Sequence, residues 1–143
     1  MGYTGDLLGG VAALMQSAGL AVFRPSGTYT PTELGITFGA LPSTPNRAIA
    51  ITAYPVEDTS FSDAVTALQI RIRGERDPRP VDDLADDLFD LLHGREQEWI
   101  GGVYVALIWR QSQAPLGPDE AGRMELAANY YARTTRPSPH LDE

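Results

Sequence analysis

The stretch LQIRIRGERDPRPVDDLADDLFDLLHG, residues 68–94, changes period in its middle, and that change decides the fold. In its first part Leu68, Ile70 and Ile72 alternate with Gln69, Arg71 and Arg73, the two-residue repeat of a strand with one apolar and one polar face. ERDPRP then ends the strand, because proline cannot donate to a ladder, and Pro80 suits the first turn of a helix. From there Val81, Leu84, Ala85, Leu88, Leu91 and Leu92 recur at three- and four-residue spacing. That is a helical stripe running to about His93, with Gly94 placed to close it.

Upstream, Leu7, Leu8, Val11, Leu14, Met15 and Ala18 form a second helical stripe, with Thr4 or Asp6 as the cap and Gly19 as the stop. The Gly9-Gly10 pair inside it either weakens the helix by roughly 1–2 kcal/mol or admits another backbone close by. LAVFR (20–24) and ITFGA (36–40) read as short strands separated by turn-rich connections. RAIAITAYP (47–55) is apolar on both faces and belongs inside a sheet, and VEDTSFSDA (56–64) reads as a polar bridge, or as the place of a bulge or part of a meander. Downstream, WIGGVYVALIWR (99–110) reads as one long strand with Val103, Val105, Leu107 and Trp109 on one face. QSQAPLGPDEAG (111–122) reads as a long loop, RMELAANYYAR (123–133) as the last strand, and TTRPSPHLDE (134–143) as an extended tail. With no βαβ alternation and no repeat, this order predicts an α+β fold. The expectation is a mainly antiparallel sheet with two helices packed on one face, ending in a long β-hairpin. Residues 1–134 are expected to form a single domain and 135–143 its extended C-terminal tail.

The composition removes most chemistry. The 143 residues carry a net charge of −8, no cysteine and no lysine, so all eleven cations are arginine. Thiolate zinc sites, cysteine nucleophiles, Schiff bases and a Walker lysine are excluded. An acidic chain gains little from wrapping nucleic acid, whose binding is dominated by neutralising phosphates. No run approaches the ~18 apolar residues of a membrane span, and MGYTGD is unlike a signal peptide, so no membrane partner is expected. Asp82, Asp83, Asp86, Asp87 and Asp90 fill the polar side of the second helix. They diverge along one face and lack calcium-loop spacing, which favours a solvated cover over a metal-dependent nuclease. His93 and His140 are isolated, and neither GxSxG nor a strand-to-helix GxGxxG is present. No catalytic residue, metal or cofactor is expected.

What remains is surface. Arg71 and Arg73 either pair with acids across strands, such as Glu57 or Glu125, or meet a neighbouring subunit. Trp99, Trp109, Tyr130 and Tyr131 read as core or cross-strand pairs. Tyr130 and Tyr131 face opposite sides of a regular strand, so one of them stands outside the core and suits an interface. The 111–122 segment, held between two strong strands, suits an assembly arm.

The run RIRGERDPRPVDDLADDLFDLLHG (71–94), followed by GGVYVALIWRQSQAPLGPDEAGRMELAANYYARTTRPS (101–138), resembles the tail terminator, or tail-completion, proteins of tailed bacteriophages. The resemblance rests on the ordered series: the R-x-R-G strand end, the acidic DDLAD…LHG helix, the APLG-D-x-x-GR segment and the NYY strand. It spans roughly residues 66–138. It implies a structural virion protein of the tail or neck, assembled in the host cytoplasm. Such a protein caps the tail tube as a homo-oligomeric ring, commonly a hexamer, and ends tail growth. It also joins the tail to the head connector or head-closure protein, while DNA passes through its lumen without specific binding. Its expected partners are therefore other copies of itself, the tail tube protein and the connector. The interface residues expected here are Arg71, Arg73, Tyr131, Arg133, Pro115, Leu116, Gly117, Asp119 and Arg123. The alternatives are another neck or tail component, such as a head-closure or tail-tube protein, and a metal-dependent nuclease built on the aspartates. If the aspartates are only a solvated face, changing Asp83 and Asp87 together to asparagine should leave stability unchanged or slightly raised by relieving i,i+4 repulsion. Denaturant unfolding checks this, and a loss above about 2 kcal/mol would show instead that they hold a metal or a buried partner.

Overall fold

The computed structural model describes residues 2–141. Its elements run α1 (Tyr3–Ser17), β1 (Val22–Phe23), β2 (Gly35–Phe38), β3 (Ala48–Asp58), β4 (Asp63–Arg73), α2 (Arg79–Leu92), β5 (Glu96–Ile100), β6 (Val103–Pro118) and β7 (Met124–Thr135). The strands form one seven-stranded sheet in the order β1-β2-β3-β4-β7-β6-β5. β1–β2 and β2–β3 are parallel and every other pairing is antiparallel, so the fold is α+β with a mostly antiparallel sheet.

β4 lies between β3 and β7, and its alternation sorts the molecule. Leu68, Ile70 and Ile72 are fully buried and share one core with Leu7, Val11 and Met15 of α1 and Val81, Ala85, Leu88 and Leu92 of α2. Ile49, Ile51, Ile108, Leu126, Ala128 and Tyr130 complete it from the neighbouring strands. At roughly 1.5–3 kcal/mol for each large apolar side chain removed from water, this shared core as a whole is the main term that opposes chain entropy. All five aspartates of α2 are exposed. α1 starts one residue beyond Gly2, which makes no side-chain cap, so neither Thr4 nor Asp6 caps it. At its other end Gly19 takes φ +75, the left-handed stop its position suggests.

Three sequence expectations change. WIGGVYVALIWR is not one strand: Gly101 and Gly102 adopt φ +61 and +85 and turn β5 back along β6. The 111–122 segment is not a loop, because β6 continues to Pro118 and pairs with β7, leaving 119–123 as the turn. Pro115 and Pro118 disguised it. β5 covers β6 only as far as Leu107, so beyond that point β6 is an edge strand, where proline loses no ladder bond. The 56–64 bridge does hold part of a meander, the end of a β3–β4 hairpin with Asp58 paired to Ala64 and a bulge between Pro55 and Glu57. The alternation expected along β6 also breaks. A register shift between Val105 and Leu107 turns Ile108 inward in place of Leu107 and Trp109.

The chain ends join the same body. The Tyr3 hydroxyl lies 2.7 Å from Thr66 Oγ1 and 2.6 Å from Thr134 Oγ1, and the Arg136 guanidinium sits 4.4 Å over the Tyr3 ring. The Arg136 backbone N–H donates to Ser62 O at 2.7 Å. The tail positions Asp142 and Glu143 lie outside the described residues, as does Met1.

Gly9 and Gly10 differ in what surrounds them. A Cβ on Gly10 would stand 2.4 Å from Gly101 N, whereas one on Gly9 would meet nothing within 4 Å. Gly9→Ala should therefore stabilise by up to ~1 kcal/mol through helix propensity. Gly10→Ala should destabilise by at least ~2 kcal/mol, because backbone must move on both sides. Thermal or urea unfolding of the two variants reads the opposite signs. Tyr130 is a second such position. Its hydroxyl is buried without a hydrogen-bond partner, and burial pushes its pKa up to about 12. Tyr130→Phe removes an unsatisfied group at little cost in shape and should leave stability unchanged or raised by ~1 kcal/mol.

Candidate interaction surface

Residues of the opposite parity to the core row take the other side of the sheet. Arg71 stands opposite Ala50 on β3 and Ala127 on β7, and Gln69 opposite Thr52 and Asn129. Tyr54, Ala67, Tyr131 and Trp109 form a cross-strand row over β3, β4, β7 and β6, and Val65, Arg133 and Leu107 form the next. Trp109 and Tyr131 meet edge to face, with centroids 5.7 Å apart and planes at 78°. The alanines between the aromatics keep the surface low, and Tyr54 is 45% exposed.

Of the expected interface residues, Arg71, Tyr131 and Arg133 come together on this side. The Arg71 guanidinium is bonded to Glu125, a pairing weighed from the sequence, while its buried Nε has no partner. Arg133 is exposed and makes no side-chain hydrogen bond or ion pair among the described residues. Arg73 has the same parity but is only 3% exposed. Its Nε donates to Asn46 O at 2.8 Å, and its Nη2 to Pro42 O and Pro45 O at 2.5 and 2.8 Å. The 42–46 connection has folded over the end of β4, and the guanidinium satisfies its carbonyls. Burial, with Arg123 nearby, lowers the Arg73 pKa from its ordinary value. Arg73 is thus engaged within its own subunit, away from the surface the sequence suggested.

The remaining expected residues lie at the far end of β6 and its turn. Leu116 is 50% exposed at a register shift, beside Pro115 and Gly117. Asp119 Oδ1 accepts from the backbone N–H groups of Ala121 and Arg123 at 2.9 and 2.8 Å, and Oδ2 accepts from Arg123 Nε at 2.8 Å. The Arg123 backbone N–H, then its guanidinium, hold the Asp119 carboxyl below its usual range. Arg123 also donates to Ser43 O at 2.8 Å, so Arg73 at the end of β4 and Arg123 in the turn before β7 clamp the same connection. The turn at this end is therefore a fixed platform.

His93 is structural: its Nδ1 accepts from the Arg110 backbone N–H at 3.0 Å and its ring stacks on Phe89 at 4.4 Å. Among the described residues no group of three or more His, Asp or Glu is placed to hold a metal ion. What these residues offer chemically is recognition: aromatic faces, an unpaired guanidinium and a rigid turn. Sequence reasoning missed Trp99 at 71% exposure, Phe61 at 54% and Phe38 at 41%. Their types suggest core, and only the strand order shows that Trp99 stands on an edge strand.

The fold has solved counterparts. One chain of a native gene transfer agent virion superposes with a TM-score of 0.59 at 13% identity, over 93% of this chain and 94% of that one. A second solved chain gives a TM-score of 0.54 at 16% identity, over 96% and 100%. At these identities the likeness is one of fold. No curated protein matches the sequence significantly. The family model described as bacteriophage tail terminator protein matches residues 14–136, which takes in every strand, and the chain belongs to that family of structural virion proteins.

Proposed function

We propose that the protein caps the finished phage tail tube as a ring of six subunits, ends tube polymerisation, and joins the tail to the head connector. The family match over residues 14–136 carries this reading. The subunit's form supports it. In this reading both helices pack on one face of the sheet and the β6–β7 hairpin closes the domain, so the other face is turned to a partner in the virion. Arg71, Tyr131 and Arg133 contribute to that contact. The platform of Pro115, Leu116, Gly117, Asp119 and Arg123, fixed by the clamp on 42–46, meets the tube or the connector. Assembly takes place in the host cytoplasm. DNA crosses the lumen without specific binding, which a net charge of −8 favours because it offers phosphates little to hold.

The test uses infected cells lacking the protein and complemented with a Tyr131→Ala, Arg133→Glu variant. Both residues lie off the core, so the purified variant should keep its unfolding free energy within ~1 kcal/mol. Electron micrographs should then show overlong tails and free heads. Normal tails on normal virions would overturn this assignment of the contact face. Negative stain of the purified wild-type chain separates the rival component: closed rings support a terminator, and stacked tubes a tube protein.

A further inference from the structure

We infer that copies of this chain join side to side through the two edges of the sheet, the β5 edge of one subunit seating against the β1–β2 edge of the next. The inference rests on the ring reading above and names the surfaces that would build it. β5 and β1 are the two ends of the strand order. Each edge carries a large side chain out of place in water. Trp99 on β5 is 71% exposed, with Tyr104 edge-on behind it at 5.4 Å. Phe38, at the end of β2, is 41% exposed and stacks on Phe23 of β1 at 5.3 Å.

The charges complement one another. Beside Trp99, Glu98 is paired with Arg95 at 2.6 Å, and Glu96 is exposed with no ion pair among the described residues. At the other edge Arg24 is paired with Glu33 at 2.6 Å, and the exposed Arg47 donates to the Thr32 carbonyl and has no ion pair among the described residues. The surplus charge is acidic on one edge and basic on the other. Two copies meeting through identical β5 edges would bring two edges of acidic surplus together, so the sign favours unlike edges.

Backbone on both edges is blunted. β1 is two residues long, its Phe23 N–H is capped by Gln16 Oε1 at 2.8 Å, and the Arg24 N–H donates to the Tyr29 hydroxyl at 2.9 Å. β5 is kinked at Gln97, which takes φ +51. Side chains make this contact, and an indefinite strand ladder is discouraged. A contact between two different patches is head to tail, which closes into a ring when the rotation between subunits allows.

Sedimentation of the purified chain up to millimolar concentration tests the inference. The wild type should form a closed assembly. Trp99→Ala and Phe38→Ala should each weaken it about tenfold or more. An equimolar mixture of the two variants should give a heterodimer that grows no further, because only one of its two possible contacts keeps both aromatics. Glu96→Arg should dissociate the assembly, and Arg47→Glu added in the same chain should restore it; this pair keeps the test open if Phe38→Ala fails to fold. If the closed assembly survives all three single changes, the edges are not the contact, while the ring reading stands. If the wild type is monomeric at every concentration the edge contact is overturned, and one copy of the chain per virion would overturn the ring reading as well.

Discussion

The inward row of β4 is the constraint from which the rest follows. Leu68, Ile70 and Ile72 are fully buried on the strand between β3 and β7, and both helices share their core. A one-residue slip of this strand would carry the whole row to the other side of the sheet. Its register with β3 and β7 therefore fixes which residues face the helices and which face away. Arg71 and Tyr131 take one side of the sheet because Ile70 and Tyr130 hold the core side.

That logic also sets what the sequence could reveal. Residues 68–94 were legible because the change from period two to period 3.6 lies in the side chains themselves, and β4 and α2 sit close to where it places them. The meeting of Arg71, Tyr131 and Arg133 on one side follows from parity alone. Other features depend on distant partners. Pro115 and Pro118 signal a loop unless one knows that β6 has no neighbour on that flank. The shift after Val105 reverses parity through one extra backbone unit that leaves no mark in composition. Arg73 lies on the polar parity of its strand and is still buried, because carbonyls twenty-seven or more residues earlier in the chain need a donor. Exposure of Trp99 and Phe38 is a property of strand order, which local pattern does not encode.

An all-arginine cation set suits such a molecule. Arg73 and Arg123 each satisfy several oxygens of the 42–46 connection through a planar fork, which the compact ammonium of lysine does less well. Arg110 and Arg136 lie over the rings of Phe89 and Tyr3 at 4.4 Å. Arg24 holds both oxygens of Glu33, whose pKa is lowered to about 2 chiefly by that hydrogen bond. The connections between the short parallel strands thereby gain fixed shapes without secondary structure of their own.

The hydroxyl contacts of Tyr3 bear on the order in which the subunit matures. Tyr3 meets Thr134 across 131 positions of sequence, and the backbone of α1 rests on the turn at Gly101. The core of α1 packs on earlier strands, but its Tyr3 end gains the Thr134 contact only when β7 is in place. Contacts of such long range close late, since the entropy of joining distant segments must be met before they contribute. The Tyr3–Thr66–Thr134 cluster is therefore a closing seal, tying the start of α1 to the two central strands after the rest of the core has formed.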